Sequence, residues 1–530
     1  MRIPKAVLIL VLAGIILYFP TLFNGFVWDD EELILNNTQV HSLANWPAFL
    51  SGSTFNSGGG GNLAGLYYKP LMTMAFSLLY TLFGPSAWAF HAFQIGIHIA
   101  NAVLLFYLLR RLFSPYRVPG VLPEILAMLF LIHPINTEAT VYIADYQDVL
   151  FFFFGILAFL SVLKTGDRQL KTAPAKPVLV WSGLILLSLL SKETGVVFTA
   201  VIFVYIFLFS REKLRYFVPA GILAAGVYAV LRFGVAHIFF NKHGLTPITT
   251  MPLSDRLINI PAIIWFYLKT FFWPQNLAIN QQWVVRSIDP ITVLADLGIL
   301  GGLGGLGVLV YKKKREIFPL WVFFLIWFLL ALTFHLQIFP LDLTVSDRWF
   351  YLPAVGLLGM LVLAGGLKKW GRREIFGFWI IVLILSGRTW MREFDWRDGL
   401  TLYRHDINLS PNAFDLENNY GVELFRHGDL ADAKVHFIRS TELSPQWWTN
   451  WNNLGVIYER EGNPAEAAED YRKAIDNGNY YLAYENYAAI LLKTGKNAQA
   501  REFLEKEALP RLPFNVRLKE LYALSLQLPR

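Results

Sequence analysis

The chain has 530 residues, of which 55% are hydrophobic and only 16% are charged, and its formal net charge is +7. Soluble domains carry about 25% charged residues, so this composition predicts an integral membrane protein. The sequence contains no cysteine, which excludes disulfides, thiolate catalysis and cysteine-ligated zinc. The absence of cysteine also favours a bacterial envelope protein over a eukaryotic secretory protein.

Apolar runs with the length of a membrane-spanning helix follow one another up to residue 391. The first run lacks a small-x-small cleavage site, so we predict an uncleaved span rather than a signal peptide. Two further apolar segments, 70–84 and 256–274, begin with or contain proline, and we expect them to lie at the outer interface. Counting both would give thirteen spans. We predict eleven, near residues 6–23, 88–109, 119–133, 148–163, 178–191, 195–210, 216–238, 291–311, 317–335, 350–367 and 375–391.

The basic residues between these spans fall mainly on one side, which the positive-inside rule makes cytoplasmic. That side holds 20 of them: Arg2, Lys5, Arg110, Arg111, Arg117, Lys164, Arg168, Lys171, Lys176, Arg211, Lys213, Arg215, Lys312, Lys313, Lys314, Arg315, Lys368, Lys369, Arg372 and Arg373. The other side holds seven before residue 388: Lys69, Lys192, Lys242, Arg256, Lys269, Arg286 and Arg348. The positive charge therefore indicates topology, and no nucleic-acid partner is expected. The N-terminus is predicted to be cytoplasmic and the C-terminal region to lie outside.

The C-terminal region contains a repeat of 33 to 34 residues. "NNYG" at 418–421 recurs as "NNLG" at 452–455 and "ENYA" at 485–488, each followed in register by a glycine and an alanine. This period and alternation of small and large residues are typical of tetratricopeptide repeats. Three repeats with flanking helices at 396–408 and 514–526 reach the minimum for a stable solenoid.

Equivalent asparagines occur in the first helix of each repeat, namely Asn419, Asn453 and Asn486. Such a ladder can hydrogen-bond the backbone of an extended peptide. The alternative is that the asparagine is simply part of the common repeat consensus.

An acidic motif, "GFVWDDEE" at 25–32, directly follows the first span. An ionised carboxylate in a partly enclosed site can act as a general base toward a hydroxyl. Asp29 and Asp30 are therefore candidate catalytic residues. The alternatives are a helix cap or solvated loop charge.

Three cations, Lys69, Lys192 and Arg348, stand at the outer boundary of apolar runs. Cations there are costly unless an anion uses them. Together they are suited to binding a phosphate or pyrophosphate. Salt bridges with neighbouring carboxylates, or snorkelling, would explain each one equally well.

The segment 133–148, "HPINTEATVYIADYQD", carries Glu138, Asp145 and Asp148 without any basic residue. Asp148 is suited to orienting an acceptor or to capping the fourth span. No histidine pair has zinc-site spacing, but a hard-cation site built from Asp, Glu and His is not excluded.

Taken in order, several segments resemble the GT-C superfamily of polytopic glycosyltransferases. The resemblance is strongest to the transmembrane tetratricopeptide-containing O-mannosyltransferases and their bacterial relatives. It is carried by "FVWDDE", "YYKPL", "WAFHAFQIGIHIANAVLLFYLLRRL", "HPINTEATVYIADYQDVL", "LLSKE", "SDRWFYLP" and the repeats.

The resemblance implies an inverting transferase that moves a sugar from a polyprenyl-phosphate donor to an acceptor hydroxyl outside the cytoplasm. It implies Asp29 as the base, with Asp30 supporting it or positioning the acceptor. Lys69, Lys192 and Arg348 would bind the donor phosphate, and Asp148 and Glu138 would lie on the acceptor side. The resemblance also implies that no metal is needed, and no cofactor is implied beyond the lipid-linked sugar, which is a substrate.

The sequence therefore predicts an all-α protein with two domains. Residues 1–391 would form a GT-C-like catalytic membrane domain, and residues 392–530 a tetratricopeptide domain in the periplasm or lumen that recruits an acceptor protein or peptide. A bacterial inner membrane is the expected location. The alternatives are the same chemistry on a lipid or envelope polysaccharide, and a non-catalytic scaffold that presents a peptide-binding solenoid.

Overall fold

The computed structural model of the chain describes residues 4–55, 66–116, 118–239, 244–365 and 370–529. Regular structure in these ranges is helical, apart from one isolated antiparallel bridge between Gln281 and Val345. The all-α class predicted from the sequence is therefore confirmed. Some residues used for the topology lie outside the described ranges, namely Arg2, Arg117, Lys242, Lys368 and Lys369.

Within the described ranges, eight helices are long and apolar enough to cross a membrane, each at a predicted span. They are Lys5–Phe23, Ala87–Phe113, Ile143–Lys164, Arg211–Val235, Pro290–Lys313, Arg315–Thr333, Asp347–Gly365 and Arg372–Asp395.

The other three predicted spans form shorter apolar helices, Leu122–Ile132, Ala175–Ser191 and Gly195–Phe209. At 1.5 Å per residue the first of these rises about 16 Å, about half of a hydrocarbon core. Almost all of its residues are buried in protein. It therefore ends inside the bundle, and residues 133–148 continue from it as a series of buried helical turns rather than an exposed loop.

The two apolar segments excluded from the spans are also helical. They form Pro70–Phe83, with proline at its first position, and Leu253–Phe272, which contains Pro261. The first helix has 14 residues and is too short to span a membrane alone. The second contains three charged residues, Asp255, Arg256 and Lys269. Their location at the membrane surface stays a prediction.

The repeat region consists of antiparallel helix pairs in the predicted register. The pairs are Phe414–Arg426 with Leu430–Leu443, Trp448–Arg460 with Pro464–Asn477, and Tyr481–Lys493 with Asn497–Phe503, flanked by Gly399–Asp406 and Val516–Gln527. Gly455 lies against Tyr471, and a side chain there would meet its ring carbons at 2.7 Å. The small residue thus lets the two helices of the pair approach closely.

The repeat domain is joined to the last long helix by a buried ion pair. Arg392 donates to both oxygens of Asp406 at 2.7 and 2.8 Å, and the same carboxylate accepts the Ile279 backbone N–H at 2.7 Å. The Gly25 N–H donates to the Arg397 carbonyl at 2.9 Å. These contacts place the repeats beside the loop that follows the first span. The predicted boundary at residue 391 falls in the last turn of Arg372–Asp395.

Candidate functional site

The acidic motif after the first span forms a sharp turn that exposes one carboxylate and buries the next. Trp28 has a φ of +54°, in the left-handed region that bulky residues rarely adopt. Its ring packs against Tyr403 with centroids 5.6 Å apart. Asp29 and Asp30 then open a helical turn that continues through Glu31–Leu35. Contacts with the repeat side of the molecule thus hold a backbone conformation that is unfavourable by itself.

Asp30 has a structural role in this turn. It is completely buried, and its two oxygens accept the backbone N–H groups of Val27 at 3.0 Å and Ala144 at 2.7 Å. Since both oxygens are occupied, the side chain ties the first loop to the segment 133–148. This geometry matches support of Asp29 better than contact with an acceptor.

Asp29 is partly exposed and faces a cavity. The Tyr142 hydroxyl accepts the Asp29 backbone N–H at 3.1 Å and lies close enough to the Asp29 carboxyl group to lower its pKa. Burial raises the pKa of Asp29 above its ordinary value, while Tyr142, Arg348 and Lys69 oppose that rise. A carboxylate with a raised pKa and an open side is suited to accepting a proton.

Two of the three predicted phosphate ligands are paired with carboxylates. Lys192 donates to both oxygens of Asp148 at 2.7 and 2.9 Å. Arg348 donates to Glu138 at 2.6 Å and lies 3.2 Å from Asp145. The salt-bridge alternative left open by the sequence therefore describes both cations.

The same ion pairs give the two predicted acceptor-side residues, Glu138 and Asp148, a different role. Glu138 also accepts the Arg348 backbone N–H and the Ser346 hydroxyl, each at 3.0 Å. Asp148 is buried, and both of its oxygens contact Lys192. Glu138 and Asp148 thus hold the cations in place, and neither lines the cavity that Asp29 faces.

Lys69 differs from the other two cations. Its Nζ lies 4.8 Å from the centre of the Tyr67 ring, and it forms no ion pair with any residue in the described part of the chain. Burial lowers the pKa of Lys69 to about 8, with Glu193 opposing and Lys192 adding to that fall. The ammonium therefore lies in a partly dehydrated site beside other cations, an environment that favours binding of an anion.

Two neighbours of this group, Tyr142 and Arg232, were not singled out from the sequence. Tyr142 holds Asp29, and Arg232 donates to Glu193 at 2.6 Å. The arginine carried a signal, because a lone cation within an apolar run marks an intramembrane polar contact. Nothing local distinguished Tyr142 from the many other tyrosines of the chain.

Asp29 shares its cavity of about 1360 Å³ with the repeats. One wall is the first loop, including Trp28, Asp29 and Glu32, and the facing wall consists of repeat residues. Arg426 of the first repeat bridges the two walls by donating to both oxygens of Glu31 at 2.6 and 2.7 Å. The candidate base thus lies on the surface that faces the repeat domain.

Two of the three predicted asparagines, Asn419 and Asn453, line this cavity, whereas Asn486 does not. Asn453 donates to Asn418 at 2.9 Å, and Asn486 donates to Asn452 at 3.0 Å. These amides therefore link successive repeats. Whether they also bind a peptide stays a prediction.

No cluster of three or more His, Asp or Glu side chains suited to a metal ion occurs among the residues that the structure describes. His133, at the start of the buried segment, accepts the Ile135 N–H at 3.2 Å and lies 3.0 Å from the Phe271 carbonyl oxygen. Its ring nitrogens thus serve local hydrogen bonds.

The fold, together with a match to a family model, defines a polytopic, all-helical membrane protein with a tetratricopeptide domain. The family model "Tetratricopeptide repeat" matches residues 448–477, the middle repeat, which confirms the predicted repeat class.

More particularly, the chain is similar to proteins named protein O-mannosyl-transferases. It is 25% identical to F38B6.6 of Caenorhabditis elegans over 84% of this chain and 63% of that protein. It is 24% identical to TMTC3 of Homo sapiens over 81% of this chain and 50% of that protein. The resemblance predicted from the sequence is confirmed. The chain aligns with only 50% to 63% of the length of these two relatives.

Among solved structures, ArnT from Cupriavidus metallidurans bound to undecaprenyl phosphate is similar with a TM-score of 0.44 and 13% identity, over 88% of this chain and 79% of that chain. The arabinofuranosyltransferase AftD from Mycobacteria has a TM-score of 0.42 and 15% identity, over 73% of this chain and 27% of that chain.

Proposed function

We propose that the protein is a membrane glycosyltransferase that moves a sugar from a polyprenyl-phosphate donor to a hydroxyl of an acceptor protein. The observation that carries the proposal is the position of Asp29. Asp29 lines the cavity shared with the repeat domain, and it is near enough to Arg348 and Lys69 for their charges to lower its pKa. The similarity to named protein O-mannosyl-transferases supports glycosyl transfer and a protein acceptor.

The chemistry is a single displacement at the anomeric carbon. The acceptor oxygen forms a bond to that carbon on one face while the bond to the phosphate oxygen breaks on the other, so the configuration inverts. The acceptor proton passes to Asp29, and polyprenyl phosphate leaves with the bonding electrons. Charge builds up on the phosphate during this step, so a nearby cation stabilises the transition state more than the ground state.

Lys69 is the cation best suited to contact the departing phosphate, because it has no ion pair with the described residues. Arg348 and Lys192 contribute positive charge from positions fixed by Glu138, Asp145 and Asp148. Phosphate binding requires no metal in this arrangement. We therefore expect full activity in the presence of a chelator.

The site lies on the outer face of the membrane in this proposal. The positive-inside distribution of Lys and Arg places the N-terminus in the cytoplasm and the repeats outside, in the periplasm if the protein is bacterial. In this proposal residues 1–391 form the catalytic membrane domain, and residues 392–530 form the peptide-binding repeat domain.

The test uses the purified full-length protein. It is incubated with a panel of polyprenyl-phosphate sugars and serine- or threonine-containing peptides, and mass spectrometry records which donor is consumed and which peptide gains mass. Consumption of one donor with a matching gain of sugar on a peptide would support the proposal. Failure to consume any donor, by protein that remains monodisperse and thermally stable, would contradict it.

The Tyr142→Phe variant is expected to shift the acidic limb of the pH–activity profile upward. The base must be ionised, so activity falls as the pH drops through the raised pKa of Asp29. The Tyr142 hydroxyl lowers that pKa, and its removal therefore raises it further. Compared with the wild type, the variant should therefore lose more activity at low pH than at high pH. The same loss at every pH would indicate a purely structural role for Tyr142.

A further inference from the structure

The volume and the walls of the cavity beside Asp29 indicate which class of acceptor it can bind, provided that the proposed glycosyl transfer is correct. Its volume of about 1360 Å³ exceeds the range of about 300–1,000 Å³ that is usual for small-molecule sites. Its walls come from the first loop, from the inner face of successive repeats and from residues 511–514 beyond them. A cavity of this volume with such walls suits a polymer better than a single sugar or a lipid head group.

The charges on the cavity wall are unbalanced. Among the described residues, the lining includes two arginines, Arg426 and Arg511, and these carboxylates: Asp29, Glu31, Glu32, Asp415 and Glu423. Arg426 pairs with both Glu31 and Glu423. Arg511 donates to the Tyr484 hydroxyl at 2.7 Å and lies near Glu507 instead. The arginines therefore neutralise only part of the negative wall.

Asp415 and Glu32 differ in what surrounds them. Asp415 accepts hydrogen bonds from Asn280 at 2.6 Å and Gln282 at 2.8 Å, and burial raises its pKa to about 7. Glu32 is exposed to the cavity and accepts a hydrogen bond from Asn36 at 3.1 Å, with no cationic partner among the described residues. Glu32 is thus the carboxylate that is open to an incoming cation.

Two aromatic residues of the repeat domain, Tyr480 and Tyr481, line the same cavity as Glu32. Burial, and next the charge of Glu32, raises the pKa of the Tyr481 hydroxyl to about 12. Aromatic faces attract ammonium and guanidinium groups, and they do so more strongly where water is partly excluded. A carboxylate that lines the same cavity as two tyrosines, near enough for its charge to raise the pKa of both, is a suitable environment for a lysine or arginine side chain.

The spacing between Glu32 and Asp29 limits how far the basic side chain lies from the acceptor hydroxyl along a bound peptide. Glu32 follows Asp29 by three residues in a helical turn, a rise of about 5 Å. An extended peptide covers about 3.3 Å per residue. A cation bound at Glu32 therefore belongs to a residue close to the hydroxyl that meets Asp29.

We propose that the acceptor is an extended polypeptide segment with a lysine or arginine within about three residues of the glycosylated serine or threonine, and that Glu32, Tyr480 and Tyr481 bind this basic side chain. The inference rests on the proposed function and specifies its acceptor.

The experiment compares peptides that differ at one position. Each carries the same acceptor threonine, with lysine, glutamine or glutamate two residues away, and the full-length protein is assayed with the donor found in the panel above. The expected kcat/KM for the lysine peptide is about tenfold above that for the glutamine peptide, with the glutamate peptide lowest. Raising the salt concentration should reduce the ratio.

The variants then locate the preference. Glu32→Gln should bring the lysine and glutamine peptides to within about twofold of each other, and Glu32→Lys should favour the glutamate peptide. The matched control is Glu442→Gln, which replaces an exposed glutamate of the first repeat that does not line the cavity. It should leave the ratio of wild type unchanged.

The outcomes separate the two proposals. Peptides that are all glycosylated without a charge preference, or with a preference that Glu32→Gln retains, would overturn the inference and leave glycosyl transfer intact. Transfer only to a polysaccharide would overturn it as well. Absence of transfer to any acceptor from any donor would instead contradict the proposed function.

Discussion

The Asp29→Asn variant is expected to lose about 100- to 10,000-fold in sugar transfer, the usual contribution of a positioned general base. Asparagine keeps the shape of the side chain but cannot accept the hydroxyl proton. The side chain is partly exposed, and the hydrogen bond to Tyr142 comes from the Asp29 backbone N–H, which asparagine keeps, so the thermal unfolding midpoint should change little. Initial rates of product formation and the unfolding midpoint, measured on the same preparation, check both statements.

The matched control for this variant is its neighbour. Asp30→Asn replaces one of the two accepting oxygens by an NH₂ group, so one of the two buried backbone N–H groups loses its acceptor, at a cost of about 1–3 kcal/mol in the free energy of unfolding. Asp30→Asn should therefore lower the unfolding midpoint, while the folded fraction keeps more activity than Asp29→Asn. The reverse result, with Asp30→Asn stable and inactive, would assign the base to Asp30.

The three cations are expected to separate into two kinds when mutated. Lys69→Ala should lower kcat/KM for the donor about 10- to 100-fold, the value of a hydrogen bond to a charged group. The unfolding midpoint should be kept, because Lys69 forms no ion pair with the described residues. Arg348→Ala leaves the buried carboxylates of Glu138 and Asp145 without their partner. It should cost about 3–5 kcal/mol in the free energy of unfolding.

The pH dependence provides the second measurement for Lys69. Its pKa is lowered to about 8, so the ammonium loses its charge as the pH rises through that value and donor binding weakens. Arginine stays charged at every accessible pH. Lys69→Arg should therefore move the basic limb of the kcat/KM profile to higher pH. A basic limb that remains near 8 in this variant would show that another group causes it.

Much of the architecture could be predicted from the sequence because its signals are local. A membrane-spanning helix requires a continuous apolar run, so the composition and spacing of these runs located the long helices. The glycines that end the first helix of each repeat have positive φ values, for example 82° at Gly462, and glycine adopts such angles without penalty. The regular recurrence of these glycines fixed the register of the repeats.

The interior of the candidate site depended on contacts between distant residues. Arg348 and Glu138 are 210 residues apart, and Lys192 and Asp148 are 44 apart, so no local pattern could decide whether each cation is free or paired. The sequence accordingly proposed three equivalent phosphate ligands. Packing leaves Lys69 without an ion pair in the described chain and gives carboxylate partners to the other two.

The sequence by itself determined the helical membrane domain, the repeat domain and the set of polar residues from which the candidate site is built, because apolar length and repeat period are properties of neighbouring residues. The sequence ranked Asp29 above Asp30 only through the family resemblance. The tertiary structure supplied the physical difference, since identical side chains acquire different roles through their partners. One is held by two backbone N–H groups, and the other opens toward the repeats. The cavity that Asp29 lines exists only because the repeat domain packs over the first loop.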